Sequence, residues 1–183
     1  KGVITSSAGN HAQGVALSAL RLKTKATILM PITTPIVKVK AVRELKAEVI
    51  LYGDNYDESF IEAQRLSKER ELSFIHPFND PDVIAGQGTI GVELLNQLKD
   101  PPYAIYVAVG GGGLIAGISI YIKNLWPTTK IIGIEPEDAA AMTRSLKEDK
   151  IIELDNVGLF ADGVAVKKVG KLTFDIAKKY VDK

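Results

Sequence analysis

The sequence predicts an α/β protein in which a parallel-rich sheet carries helices on both faces. Short apolar runs rich in β-branched residues alternate with stretches of helical periodicity along the first half of the chain, the order expected of a doubly wound layer. In the second half, the apolar run at residues 104–109 leads through four glycines into a stretch that is apolar nearly all round. This order predicts a buried parallel strand, a tight loop and a buried helix. With 46% apolar and 25% charged residues among 183, the chain can bury a sizeable core.

Four strands are predicted in the first half of the chain, at residues 2–5, 26–30, 48–52 and 73–76. The helices between them are defined by the spacing of apolar residues. The first helix, at residues 11–23, is indicated by the helical spacing of Val15, Leu17, Leu20 and Leu22. The second, which starts at Pro35, is expected to bury Ile36, Val39, Val42 and Leu45. Asp54 is expected to cap a third helix, which turns Phe60, Ala63 and Leu66 inward.

The second half starts after a loop near residues 77–81, where we expect the boundary between two lobes, 1–78 and 79–183. A helix is predicted at about residues 83–98. The glycines of Gly86-Gln87-Gly88 inside it indicate either close backbone packing or a neighbouring ligand. The remaining elements are a strand at 130–135, a helix at 137–147, an extended piece at 151–154, a glycine-punctuated apolar loop at 156–166 and a helix at 172–181.

Composition excludes several classes of function. The net charge is +1, and lysines and arginines are scattered along the chain, which argues against binding to nucleic acid or to a membrane surface. The absence of cysteine excludes disulfides, thiolate metal sites and a cysteine nucleophile. The two histidines, His11 and His76, are far apart in sequence, so a zinc site with the usual ligands is not expected.

The run from Gly110 to Gly113 predicts a phosphate site. A helix that opens on glycines presents its first amides and its positive dipole end with no side chain in the way. Gly111-x-Gly113-x-x-Ala116, with Glu135 at the end of the next strand, fits a dinucleotide. Four adjacent glycines also form a tight cup for a single phosphate ester. Spacing alone leaves both ligands open, beside a plain tight turn.

The turn before the first helix, residues 6–10, also has two explanations. Ser7 or Asn10 could cap the helix, or the small residues and hydroxyls at the helix entry could form a second anion site. The spacing of these residues does not choose between the two.

Four ordered motifs together resemble a known family. They are Thr5-Ser-Ser-Ala-Gly-Asn-His-Ala-Gln-Gly14, Val83-Ile-Ala-Gly-Gln-Gly-Thr89, Val109-Gly-Gly-Gly-Gly-Leu-Ile-Ala-Gly117 and Ala161-Asp-Gly-Val164. The chain is similar over essentially its whole length to the pyridoxal-phosphate-dependent threonine dehydratases, which share fold type II with serine racemase and the tryptophan synthase β-subunit. Residues 156–168 resemble the biosynthetic branch. The resemblance implies a two-lobed fold, incomplete at both ends here, with part of the large cofactor-binding lobe at 79–183.

The resemblance also implies roles for individual residues. The loop that holds the phosphate of pyridoxal 5'-phosphate is matched by Gly110, Gly111, Gly112, Gly113 and Leu114. Asn10 matches an asparagine that hydrogen-bonds the phenolic oxygen of the cofactor, and Gly163 matches a glycine near its ring. The small lobe, 1–78, supplies the loop that receives the substrate carboxylate, with Ser7, Ala8, Gly9 and His11.

The implied reaction is the deamination of L-threonine to 2-oxobutanoate and ammonia, with L-serine as a second candidate substrate. The cofactor serves as an electron sink for the carbanion that forms when the α-proton leaves. The resemblance further implies a homo-oligomer, a dimer or a tetramer, in the cytoplasm or a plastid.

The chain departs from the family pattern in the lysine that forms the Schiff base. That lysine lies in a Ser-Phe-Lys-x-Arg-Gly type of motif upstream of the asparagine loop, and no such motif is present. Lys1 lies directly beside the first predicted strand and is not its counterpart. We therefore expect an internal fragment that lacks a catalytic residue and is inactive alone, with the lysine upstream of Lys1.

Two alanines are further departures. Serine racemases carry a catalytic serine where this chain has Ala8, which favours elimination over racemisation. The racemase cation site uses a glutamate that matches Glu135 and a carboxylate at the position of Ala141, so no metal is expected there. Glu135 is instead expected to be a hydrogen-bonding residue at the end of its strand. The alternatives kept open are a serine dehydratase or racemase, an NAD-dependent dehydrogenase and a phosphate-binding module without catalysis.

Overall fold

A computed structural model describes residues 1–158 and 160–183 and divides the chain into two compact units, Lys1–Pro77 and Phe78–Lys183. The predicted boundary falls one residue later. The predicted loop at 156–166 includes Leu159, which lies outside the described residues. Among the described residues, no helix combines the length and the apolar character that crossing a bilayer would require.

The first unit is a four-stranded parallel sheet with helices on both faces. Its strands are β1 (Val3–Ser6), β2 (Ala26–Met30), β3 (Glu48–Leu51) and β4 (Ser73–Phe74), and its helices are α1 (Asn10–Arg21), α2 (Ile36–Glu44) and α3 (Tyr56–Glu69). The strand order is β3-β2-β1-β4. One face of the sheet packs against α1 and α2, and the other against α3. The predicted α/β class, with parallel strands between helices, is confirmed.

The leucines whose spacing indicated α1 do not form its buried face. Its buried residues are Ala12, Ala16 and Ala19, whereas Leu17, Leu20 and Leu22 are 37%, 44% and 78% exposed. The three alanines follow the spacing i, i+4, i+7, so they form one helical face. Their short side chains allow the helix to lie close to the sheet. In α2, the expected burial of Ile36 is wrong, because this side chain is 62% exposed, whereas Val39 and Val42 are buried as expected.

The cap of α3 is Asn55 and not Asp54. The side-chain oxygen of Asn55 accepts a hydrogen bond from the Glu58 amide at 3.0 Å. The Glu58 carboxylate in turn accepts from the Asp54 amide at 2.9 Å. This reciprocal pair resembles a capping box, and it places the helix start one residue later than the acidic residue suggested.

The second unit contains a pair of parallel strands and four α-helices among its described residues. They are α4 (Pro81–Gln97), β5 (Ala104–Ala108), α5 (Gly113–Leu125), β6 (Lys130–Ile134), α6 (Ala141–Lys147) and α7 (Lys171–Tyr180). Single 3₁₀ turns lie at Glu137–Ala139 and Asp162–Val164. The single helix predicted at 137–147 is therefore wrong, because Ala140 separates a 3₁₀ turn from α6.

Close packing between α4 and α5 explains one of the two glycines that interrupt the helical pattern. A Cβ atom on Gly88 would lie 3.3 Å from the Gly117 carbonyl oxygen. A Cβ atom on Gly117 would lie 2.4 Å from the carbonyl oxygen of Ile84 and 2.6 Å from the Gly88 amide nitrogen. The backbones of the two helices thus nearly touch. Gly86, by contrast, has open space at its Cβ position.

Candidate active site

The glycine run forms the joint between β5 and α5. Gly112 has φ +94°, in the left-handed region that residues with a Cβ rarely adopt. A Cβ atom there would also lie 2.7 Å from the Met142 methyl carbon. The chain can therefore make this turn only with glycine at position 112, whatever it binds.

The carbonyl groups of Gly111 and Gly112 are held by the protein. The Gly111 carbonyl oxygen accepts a hydrogen bond from the buried Thr173 hydroxyl at 2.6 Å and one from the Gly170 amide at 3.3 Å. The Gly112 carbonyl oxygen accepts the first helical hydrogen bond of α5, from the Ala116 amide at 3.0 Å. These bonds leave the amides, and not the carbonyl oxygens, as the groups that the loop can offer to a ligand.

The amides at the start of α5 suit an anion. The amides of residues 113–115 precede the first helical hydrogen bond, so helix geometry gives them no acceptor within the helix. The first turn of α5 contains no acidic residue. Its positive dipole end is therefore available to an anion, with no carboxylate of the first turn competing for it. This donor set fits a phosphate ester.

Two other segments of the second unit border the glycine loop. A Cβ atom on Gly111 would lie 2.3 Å from the Phe78 ring. A Cβ atom on Gly110 would lie 3.1 Å from the Cα atom of Val164. The predicted site residue Gly163 thus directly precedes a residue that packs on the loop, and its own Cβ position has open space.

In the first unit, residues 7–9 connect the carboxyl end of β1 to α1. The Ser7 amide donates to the Leu29 carbonyl oxygen at 3.1 Å. The Ser7 hydroxyl accepts from the Gly9 amide at 3.2 Å, so it does not cap α1, whose N-cap is Gly9 and has no side-chain cap. The first bond of the helix runs from the Gln13 amide to the Gly9 carbonyl oxygen, 3.4 Å. The amides of residues 10–12 precede it and can face an anion.

His11 uses its imidazole within the first unit. Its Nε2 lies 3.0 Å from the Thr5 hydroxyl oxygen and 3.4 Å from the Ile75 carbonyl oxygen. Burial lowers the pKa of His11 from its ordinary value, and the hydrogen bond to the Ile75 backbone opposes this shift. The neutral ring is therefore favoured, and any direct contact of His11 with an anion at α1 would come from its backbone amide. Asn10, the first residue of the helix, is exposed.

Glu135 lies at the end of β6, where its carboxylate accepts hydrogen bonds from the amides of Met142 and Thr143 at 2.9 and 2.7 Å. The prediction of a hydrogen-bonding residue at the strand end is confirmed. Ala141, beside it, is buried. Within the described part of the chain, no cluster of three or more acidic or histidine side chains could hold a metal ion.

Sequence reasoning missed two residues that shape these loops. Thr173 holds the Gly111 carbonyl 62 positions away in sequence, and Thr5 holds His11. No local pattern connects Thr173 to the glycines. Thr5 lies inside a motif, but its hydrogen bond to His11 is visible only in the folded chain.

Comparison with known proteins also indicates a ligand that carries a phosphate. The family described as pyridoxal-phosphate dependent enzyme matches residues 1–183. The biosynthetic, chloroplastic threonine dehydratase of Arabidopsis thaliana is 57% identical over 182 residues, which are 100% of this chain and 31% of the relative. The biosynthetic L-threonine dehydratase IlvA of Burkholderia multivorans is 54% identical over 100% of the chain and 36% of its own length. The chain spans about a third of the length of these curated relatives.

Two solved structures share the fold. The processed form of threonine deaminase isoform 2 from Solanum lycopersicum aligns with a TM-score of 0.93 and 54% identity, over 99% of this chain and 52% of that one. Maize serine racemase aligns with the same TM-score, 0.93, at 34% identity, over 100% of this chain and 55% of that one.

Proposed function

The chain belongs to the family of pyridoxal-phosphate-dependent enzymes, and we propose that it forms part of an enzyme that deaminates L-threonine to 2-oxobutanoate and ammonia, the first step of isoleucine biosynthesis. The observation that carries the proposal is the 57% identity, along the whole chain, to a biosynthetic threonine dehydratase. Identity to maize serine racemase is 34% over the same residues. The likeness therefore favours threonine deamination over serine racemisation.

The donor set of the glycine loop suits the phosphate of pyridoxal 5'-phosphate. Gly110–Leu114 would hold it with main-chain amides at the positive end of α5. Asn10 would donate a hydrogen bond to the phenolic oxygen, and Gly163, with open space at its Cβ position, would lie at the ring. When bound, this cofactor supplies an electron sink for the carbanion left by loss of the α-proton. The lysine expected upstream of Lys1 would complete the cofactor site.

The loop before α1 would take the carboxylate of the amino-acid substrate. Ser7, Ala8 and Gly9 precede amides that have no acceptor within the helix, and these amides lie at the positive end of the dipole. His11 would contribute its amide, because its ring is bonded to Thr5. Because the His11 imidazole is neutral, it adds no positive charge beside the carboxylate and would not strengthen the binding of other anions.

The methyl group of Ala8 separates elimination from racemisation. Racemisation needs a group that returns a proton to the opposite face of the α-carbon, and a methyl group carries no such proton. The loop of this chain therefore supports loss of the β-hydroxyl from L-threonine. Dehydration of L-serine needs the same groups and is the second activity that we propose to test.

We expect the complete enzyme to be a homo-oligomer, a dimer or a tetramer, in the cytoplasm or a plastid. The names of its relatives support more than one compartment, since they include a chloroplastic protein of Arabidopsis thaliana and a mitochondrial one of Schizosaccharomyces pombe. For the NAD-dependent alternative, Glu135 is the residue that a ribose would need. Its two oxygens accept hydrogen bonds from α6 amides, so the position of this acid is explained by the fold without a ribose.

The test is a spectrum and a product assay on the protein at its full length. We expect an absorbance band at the blue edge of the visible region that shifts when L-threonine is added, with 2-oxobutanoate and ammonia released in equal amounts. Asn10→Ala should weaken cofactor binding and slow turnover, because the hydrogen-bond partner proposed for the phenolic oxygen is lost. The matched control is Asn124→Ala, an exposed asparagine that bonds the Ile120 carbonyl.

Several results would contradict the proposal. One is a protein without the band whose fluorescence is quenched by NAD, which would support the dehydrogenase. Conversion of L-serine to D-serine faster than deamination of L-threonine would support the racemase. Equal kinetics for wild type and Asn10→Ala would remove the role proposed for Asn10.

A further inference from the structure

A chain of hydrogen bonds crosses the first unit at the carboxyl end of β1. The buried Thr5 hydroxyl donates to the Ile75 carbonyl oxygen at 2.7 Å. The Thr5 hydroxyl oxygen also lies 3.0 Å from Nε2 of His11. Ile75 follows β4, and its amide donates to the Ile4 carbonyl oxygen at 2.9 Å. The first turn of α1 is thus linked through β1 to the segment after β4.

The direction of these bonds fixes the tautomer of His11. A carbonyl oxygen can only accept, so the single proton of the Thr5 hydroxyl is directed to Ile75. Toward His11, the hydroxyl oxygen is therefore an acceptor, and Nε2 must carry the hydrogen. The second acceptor near Nε2, the Ile75 carbonyl oxygen at 3.4 Å, requires the same assignment. Thr5 thus places a hydrogen on Nε2, and burial, which lowers the pKa of His11, favours the neutral form of the ring.

Besides the bond from the Gly9 amide to the Ser7 hydroxyl, few contacts hold the loop that this chain of bonds borders. A Cβ atom on Gly9 would have no heavy atom within 4 Å, so packing does not fix the middle of the loop. One end is held by the bond from the Ser7 amide to Leu29. The other end is the first turn of α1, which His11 ties to Thr5. Loss of that tie would let the first amides of α1 change direction.

We propose that Thr5 is a positioning residue for the substrate carboxylate: through His11, it holds the first turn of α1 so that the amides of residues 10–12 converge on one anion. This inference rests on the function proposed above, in which that turn receives the carboxylate of an amino acid. Thr5 itself is fully buried and acts only through the imidazole. Carboxylate binding contributes equally to the substrate complex and to the transition state, so its loss raises KM and leaves kcat nearly unchanged.

The experiment compares three variants of the full-length holoenzyme. Thr5→Val keeps the shape of the side chain and removes the hydroxyl, and we expect KM for L-threonine to rise about tenfold with kcat within about twofold of wild type. Thr5→Ser keeps the hydroxyl and should return KM to within about twofold. The matched control is Thr27→Val on β2, which lies beside Ile4 in the sheet and whose hydroxyl donates to the Glu48 carboxylate at 2.9 Å. This change removes a bond that does not involve His11 and should leave KM unchanged.

A second readout does not depend on catalysis. Nitrogen-15 NMR of histidine-labelled protein without cofactor should show His11, assigned by comparison with His11→Asn, as a neutral ring protonated on Nε2. Thr5→Val should change that spectrum, and Thr27→Val should not. If Thr5→Val does not fold, as judged by circular dichroism, His11→Asn removes the same link and should show the same rise in KM.

The outcomes separate this inference from the proposed function. If the wild type does not turn over threonine, the proposed function is wrong, and the NMR spectrum alone decides whether Thr5 sets the ring. The inference is overturned if Thr5→Val, or His11→Asn in its place, leaves KM unchanged. It is also overturned if Thr27→Val raises KM equally, or if His11 is protonated on Nδ1.

Discussion

Single buried hydroxyls in the first unit differ in whether they have a partner. Ser6, at the end of β1, is fully buried, and its hydroxyl has no hydrogen-bond partner among the described residues. Ser59 is buried to the same degree, and its hydroxyl donates to the Tyr52 carbonyl oxygen at 2.6 Å. A buried hydroxyl without a partner costs stability, whereas one with a partner contributes to it.

Ser6→Ala should therefore increase the free energy of unfolding by about 0.5–1 kcal/mol, whereas Ser59→Ala should decrease it by about 1 kcal/mol or more. Both values are measured from the midpoint of urea unfolding. A loss of stability in Ser6→Ala would mean that the hydroxyl has a partner in the complete protein, such as an ordered water.

The pKa of His11 gives a second prediction for a single residue. Burial lowers this pKa in the folded state, so below the ordinary value, about 6.5, the unfolded chain binds a proton that the folded chain does not. The stability that depends on His11 is complete above that pH and is lost as the pH falls toward the pKa of the folded state. The free energy of unfolding of the wild type should therefore drop between about pH 7 and about pH 5 by more than that of His11→Asn. Parallel curves for the two proteins would contradict this explanation.

For whole elements, the contact between α4 and α5 depends on glycines. Gly117→Ala would place a methyl carbon 2.4 Å from a backbone oxygen of α4, so the helices must separate. We expect a loss of about 2 kcal/mol or more in the free energy of unfolding. Gly86→Ala, in the same helix pair, enters open space and should stabilise α4 by up to about 1 kcal/mol. Chemical denaturation of both variants checks the pair, and equal losses would show that helix propensity, and not the contact, explains these glycines.

The sequence predicted the elements better than it predicted their faces. Short apolar runs rich in β-branched residues indicated the six strands that the described residues form. Apolar spacing did not reveal the buried face of α1, because alanine is a weak indicator of burial beside leucine, yet here the close approach of helix and sheet needs Ala12, Ala16 and Ala19. The glycine loop was predictable because its chemistry is local. Its support by Thr173 was not, since only the folded chain brings α7 to Gly111.

For the whole molecule, cofactor binding should appear as stability. A ligand that binds only the folded protein raises the free energy of unfolding by mass action, by about 2.7 kcal/mol at about a hundred times its Kd. Pyridoxal 5'-phosphate should therefore raise the melting temperature of the full-length apoprotein.

Gly112→Val should abolish that increase, because valine rarely adopts φ +94° and its side chain would meet Met142 and Thr173. Gly86→Ala is the control and should keep the increase, since it lies in α4 with open space at its Cβ position. Circular dichroism on the folded apoprotein shows whether Gly112→Val retains its helices. An undiminished rise in that folded variant would mean that the phosphate binds elsewhere, and the amides of residues 110–114 would then lose their proposed role.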